Sequence, residues 1–266
     1  MTIFALSLTK KVKNHFRMNY KLEICANSVE SCIEAQRGGA FRVELCAAIP
    51  EGGTTPSYGS ILSAREKLHE TKLHVIIRPR SGDFLYSEIE QEIMLKDIQL
   101  CRKSGVDGIV IGCLTPEGDV DMELNKKLID AAGEMSVTFH RAFDMCRDPF
   151  DSLENIIALG CSRILTSGQQ PTAEQGIPLI KKLIEQANNR IIIMPGSGIN
   201  ENNIRKIATE TGAQEFHLSL RNKVASKMSY RNPSVSMGGT SITIDEYQQD
   251  ITDAHRVSKA LAALSD

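Results

Sequence analysis

The sequence predicts a TIM-type (β/α)8 barrel in a single domain, and three observations point to it. Short apolar runs alternate with amphipathic stretches from Leu22 onward, and strict β/α alternation implies a parallel sheet. Eight such units fill about 250 residues, the usual size of this barrel. The first turn, "CANSVES", carries no glycine, which disfavours a doubly wound sheet with its Gly-rich first turn.

The expected strands are LEICA (22–26), RVELC (42–46), LHVIIRP (73–79), GIVIG (108–112), SVTFHR (136–141), RILTS (163–167), RIIIMPG (190–196) and EFHLS (215–219). Asn27, with Glu30 three residues on, reads as the start of the first helix, which stops at Gly38–Gly39. In EIEQEIMLKDIQLCRKSG (88–105), Ile89, Ile93, Leu95 and Leu100 fall near one face. Pro149 in a first turn and Gly160 past the end bracket the helix after strand five. A final helix is expected over 242–264, opened by a Thr243/Glu246 capping box. Tyr247, Ile251, Ala254, Val257, Leu261 and Leu264 keep its apolar spacing. The longest irregular stretch, 221–241, precedes it, and loops of that length are usually functional or flexible.

Residues 1–17 put a basic cluster after a short apolar start, the reverse of a secretory signal. They are expected to be a disordered extension, with the barrel domain over 18–266. A net charge of −2 and no basic stripe argue against nucleic acid. No apolar run reaches the ~20 residues of a membrane span. The seven cysteines are scattered without a CxxC pair, which suits free thiols in a reducing cytoplasm.

Side chains alternate along a strand, so Glu23 and Cys25 share a face opposite Leu22, Ile24 and Ala26. Arg42, Glu44 and Cys46 likewise oppose Val43 and Leu45. The aliphatic faces should meet the helices, which turns both Glu-x-Cys faces inward, toward the C-terminal mouth where sites of this fold lie. The same parity sends His74, Ile76, Arg78 and Arg80, Thr138 and His140, and Glu215, His217 and Ser219 inward. Buried charges cost several kcal/mol unless paired, and Arg78, Arg80 and Arg141 are the expected partners of Glu23 and Glu44. Such a network holding the barrel closed is the purely structural reading.

An enzymatic reading is also available. Gly196, Ser197 and Gly198 follow strand seven, and His217 and Ser219 end strand eight, where barrels of this kind often bind phosphate. Arg78 and Arg80 would complete an anion clamp. His140 is the expected acid/base, with Glu44 or Glu23 as its partner and Asp144 orienting His140 or Arg141. No dinucleotide fingerprint, Walker loop or Ser-His-Asp order is present. What remains is a lyase or isomerase acting on a small anionic or phosphorylated substrate. A hard divalent ion held by Glu23, Glu44, His140 and His217 is a further alternative.

EGGTTPSYG (51–59), IRPRSGDFLY (77–86), TFHRAFD (138–144), LTSG (165–168), MPGSGI (194–199) and EFHLS (215–219) closely resemble the copper homeostasis protein CutC family. The resemblance runs from about Met18 to the final helix. It implies a TIM-like barrel, a cytoplasmic location, a homo-oligomer (dimer or tetramer), a role in copper homeostasis, and a Cu(I) site at Cys25 in EICA and Cys46 in ELCA. Cu(I) is soft and favours thiolate, and neighbouring parallel strands lie about 4.8 Å apart. Glu23 and Glu44 beside the thiols are expected to disfavour thiolate formation, since like charges raise a pKa.

Overall fold

The computed structural model describes residues 20–235, 237 and 245–265. The expected extension over 1–17 and Thr243 of the expected capping box lie outside the described residues.

Eight parallel strands form the barrel: β1 Lys21–Ala26, β2 Arg42–Leu45, β3 Lys72–Ile76, β4 Gly108–Ile111, β5 Ser136–Phe139, β6 Arg163–Thr166, β7 Ile192–Pro195 and β8 Glu215–Leu218. The ladder runs β7-β6-β5-β4-β3-β2-β1-β8, with β8 beside β7 at the seam. A Cβ on Gly196, just past β7, would sit 3.2 Å from the Cβ of His217 on β8, so a residue without a side chain lets the two strands approach. Around the sheet lie α1 Val29–Arg37, α2 Tyr58–Lys67, α3 Glu88–Lys103, α4 Met122–Ala132, α5 Pro149–Ala158, α6 Ile177–Ala187, α7 Ile204–Thr211 and α8 Ala254–Ser265.

The parity expectation holds along the strands but is corrected for Arg80, which lies beyond β3, is half-buried and pairs with Asp83 and Glu90 instead of facing inward. Leu22, Ile24, Ala26, Val43 and Leu45 belong to the large apolar core shared with the helices. Cys46, Ile76 and Val110 form a separate cluster with Cys25 and Ile49. Glu23, Arg42, Glu44, His74, Arg163 and Glu215 are all buried, so polar side chains take space inside the barrel that aliphatic ones usually fill.

Three local expectations are corrected. Ser28, not Asn27, caps α1: its hydroxyl accepts from Ser31 N at 3.1 Å. The Asn27 side chain instead accepts from Ser31 Oγ and donates to Asp250 O. The buried face of α3 is Met94, Ile98 and Cys101, whereas Ile89 is 72% and Ile93 41% exposed. The 94/98/101 spacing is equally helical, and packing selects it. The expected long final helix begins only at Ala254, because Asp253 Oδ1 accepts from His255 N and Arg256 N. The segment before it is β10 Gln248–Thr252, antiparallel to β9 Arg221–Ala225. The stretch expected to be irregular therefore opens as a strand. Tyr247 and Ile251 satisfy a helical period by coincidence.

Candidate metal centre at the barrel mouth

The register of β1, β2 and β8 assembles the centre. Glu23 lies opposite Arg42 on β2 and His217 on β8, and Cys25 lies opposite Glu44. The sulfurs of Cys25 and Cys46 are 4.0 Å apart. His217 Nδ1 is 2.7 Å from Glu23 Oε1, and its Nε2 is 3.7 Å from Glu44 Oε2. Among the described residues two groups have ligand atoms that all lie within 4.8 Å of one another: Cys25, Glu44 and Cys46, and Glu23, Glu44 and His217. His140 stands outside both.

Beneath the mouth is a buried ion network. Arg42 Nε donates to Glu23 Oε2, and its Nη2 donates to Glu215 Oε2 at 2.8 Å. Arg163 contacts Glu215 at 3.4 Å and donates to Thr138 Oγ1. The expected cationic partners are thus corrected: Arg42 and His217 hold Glu23, and none of Arg78, Arg80 or Arg141 does. Arg78 donates to the carbonyls of Glu51, Gly53 and Gly82, which staples two mouth loops together. Arg80 pairs with Glu90 and Asp83. Arg141 pairs with Asp144 and reaches Ser167.

Charge in the centre is unevenly distributed. Burial pushes the Glu23 carboxyl up, but Arg42 and His217 overcome it and hold it well below the usual range. Burial raises Glu44 to about 8; His217 opposes this and the negative charges of Cys25 and Glu23 add to it. His217 is held well above an ordinary histidine: burial lowers it, and Cys25, Glu23 and Glu44 more than compensate. The Cys25 thiol is lowered well below its usual value, first by the hydrogen bond from Cys46 and then, against burial, by His217 and Arg221. Cys46 moves the other way, because it is hydrogen-bonded to Cys25, is buried, and faces the charges of Cys25 and Glu44. The expectation that the carboxylates disfavour thiolate therefore fits Cys46 and is corrected for Cys25. Arg221, with Nη2 3.9 Å from Cys25 Sγ, was missed from the sequence; its only signal there is its position just after strand eight.

The remaining expected residues are placed as follows. His140, after β5, accepts from Ala142 N through Nδ1; a Cβ on Gly112 would come within 2.5 Å of that nitrogen, so glycine is required there. Asp144 accepts from Arg141, Thr166, Ser167 and Gln169, which makes it an anchor for the loop after β6. We expect Asp144→Ala to cost about 2 kcal/mol, since it leaves buried donors unpaired, read as a lower denaturation midpoint. Gly196 N–H is spent on Thr166 O, and Ser197 Oγ donates to Pro171 O. Gly198 packs against Thr172. Ser219 O accepts from Thr252 Oγ1. The Gly196–Gly198 turn does not line the mouth cavity, which Cys25, Glu44, Cys46, Arg78, His140 and His217 share.

Residues 20–222 match the model of the CutC family. The chain belongs to the CutC family. It is 61% identical over 245 residues to a CutC family protein of Bacteroides thetaiotaomicron, covering 92% of this chain and 98% of that one. It is 48% identical over 238 residues to the human copper homeostasis protein cutC homolog, covering 90% and 86%. The crystal structure of CutC from Streptococcus agalactiae superposes with a TM-score of 0.73 at 37% identity, covering 75% of this chain and 98% of that one. Among the described residues, no helix is long and apolar enough to cross a membrane.

Proposed function

We propose that this CutC-family barrel is a cytoplasmic, homo-oligomeric copper-homeostasis protein that binds Cu(I) through Cys25 and Cys46. The observation that carries the reading is the sulfur pair 4.0 Å apart, inside the span that two metal–thiolate bonds of about 2.3 Å can bridge. Soft sulfur donors on a buried wall suit a soft monovalent ion. Cys25 is already held toward thiolate, and Cys46 gives up its proton on binding, so affinity should rise with pH. Glu44 lies within 4.8 Å of both sulfurs and is the available third donor. Bound copper would supply Lewis acidity or a transferable cargo ion. The chain's own part is to hold the thiols together, keep Cys25 deprotonated and bury Cys46.

The test is an anaerobic Cu(I) titration against a competing chelator. Cys25→Ser/Cys46→Ser should lose more affinity than the roughly 10–100-fold that outer-shell changes cost. Unchanged affinity refutes the thiol site. The second reading, acid–base chemistry of lyase or isomerase type on a small anionic substrate, is supported by one feature: His140, Glu44 and Arg78 line one cavity. A metabolite screen by thermal shift, comparing native and His140→Ala protein, tests it; no differential hit removes it.

A further inference from the structure

We infer that the mouth cavity, which the two thiols also line, takes a second kind of occupant: a small carboxylate, one oxygen of which accepts the Nε2–H of His140 while its charge faces Arg78. The inference rests on the small-anion reading of this cavity and not on copper binding.

His140 carries the argument. It is 4% exposed. Its Nδ1 accepts from Ala142 N at 3.1 Å, which places the ring proton on Nε2. That Nε2 is buried and has no hydrogen-bond partner among the described residues. The Nδ1–Cε1 edge of the ring lies against Gly112, where a Cβ would come within 2.6 Å of both atoms. The ring is further fixed by Phe84, whose centroid is 5.0 Å away. His140 lines the mouth cavity; with Nδ1 and Cε1 held against Gly112, the ligand would approach the Nε2–Cδ2 side. Burial, with the Arg78 charge adding, pushes its pKa down to about 3, and the ring stays a neutral donor.

The ligand's chemistry follows from the other walls. Arg78 and Arg141 line the same cavity. The terminal nitrogens of Arg78 are engaged with loop carbonyls, so it faces the cavity as a charge rather than as a free donor. Arg141 is already paired with Asp144, so Arg78 and the fixed N–H donor are what call for an anionic acceptor. Glu44 and His217 also line the cavity, but they face each other at 3.7 Å. The cavity holds about 120 Å3, the room of about four waters at roughly 30 Å3 each, which fits an acid of two or three carbons. A phosphate ester is disfavoured, because the Gly196–Gly198 turn does not line this cavity. Ile49, Ile76, Phe84 and Leu165 give the cavity an apolar wall beside Cys25 and Cys46, matching a short carbon chain.

The test is a titration of metal-free protein carrying 15N-labelled histidine with acetate and with pyruvate. The His140 Nε2–H resonance should shift saturably. Acetamide, the neutral isostere, should bind at least tenfold more weakly, and inorganic phosphate should not compete. His140→Phe should weaken acetate at least tenfold, whereas His140→Gln, which keeps an N–H donor, should retain most of the affinity. The titration is made without copper, so this occupant stands or falls apart from the metal. No saturable shift, tighter phosphate than acetate, or full acetate affinity in His140→Phe overturns the proposal. Should His140→Phe fail to fold, the wild-type His140 resonance decides alone.

Discussion

Arg42→Ala should destabilise the barrel by about 3–5 kcal/mol, the typical cost of removing one partner from a buried ion pair. Arg42 is 1% exposed and bridges Glu23 to Glu215. Glu215 keeps Lys21 and Arg163, but Glu23 is left with His217 alone on its other oxygen. The loss should depend on pH, and the sign is set by Glu23. In the native protein its carboxyl is held well below the usual range, so its stabilising charge is present above the unfolded pKa and is lost only as pH falls through the lower folded one. Without Arg42, burial dominates and raises the folded pKa, so the variant takes up a proton as pH falls and is relieved. Urea denaturation should therefore show a larger deficit at about pH 7 than at about pH 5. Arg42→Lys should recover only part of it, since an ammonium does not reproduce the fork that joins two carboxylates. Equal deficits at both pH values would show that Glu23 does not depend on Arg42 for its charge.

That dependence also marks how far the sequence could be read. The period-two alternation of Leu22, Ile24 and Ala26 against Glu23 and Cys25 is a property of one strand, and it predicted the inward face of the barrel. The partner of Glu23 depends on the stagger between strands, which no single strand encodes. Arg42 shares the inward face with Glu44, yet only the β1–β2 register sets it opposite Glu23. Arg221 was illegible for the same reason: it reaches Cys25 from β9, and that strand exists because Gln248–Thr252 pairs with it. The residues ahead of α8 fitted a helical period as well as a strand, and only Asp253 shows where the helix starts. At the turn after β7, Gly-Ser-Gly read as an anion cradle, but the Gly196 amide completes the link to β6 through Thr166 O. Residue types at strand ends were thus informative about which side chains gather, and silent about which hydrogen bonds they had already spent.

Glu44→Gln should stabilise the metal-free protein at alkaline pH, an unusual outcome for a substitution at a candidate site. Glu44 is 4% exposed, and its carboxyl is raised to about 8, chiefly by burial. Its nearest positive group, His217, is 3.7 Å away and is already engaged by Glu23. A carboxyl whose folded pKa exceeds its unfolded one binds more protons when folded, so stability falls as pH rises from the unfolded pKa to the folded one. Glutamine does not titrate. The two proteins should have similar midpoints near pH 5, and the variant should gain on the order of 2–4 kcal/mol by about pH 8, taking 1.36 kcal/mol per pKa unit as the upper slope. Parallel pH profiles would mean that Glu44 is ionised throughout. A stability cost at neutral pH marks a group that packing alone would replace, and Glu44 lies within 4.8 Å of Cys25 and Cys46. If Glu44 is retained as a donor, Glu44→Gln should gain stability and lose Cu(I) affinity together; a gain in stability with unchanged affinity would leave the two sulfurs to hold the ion without it.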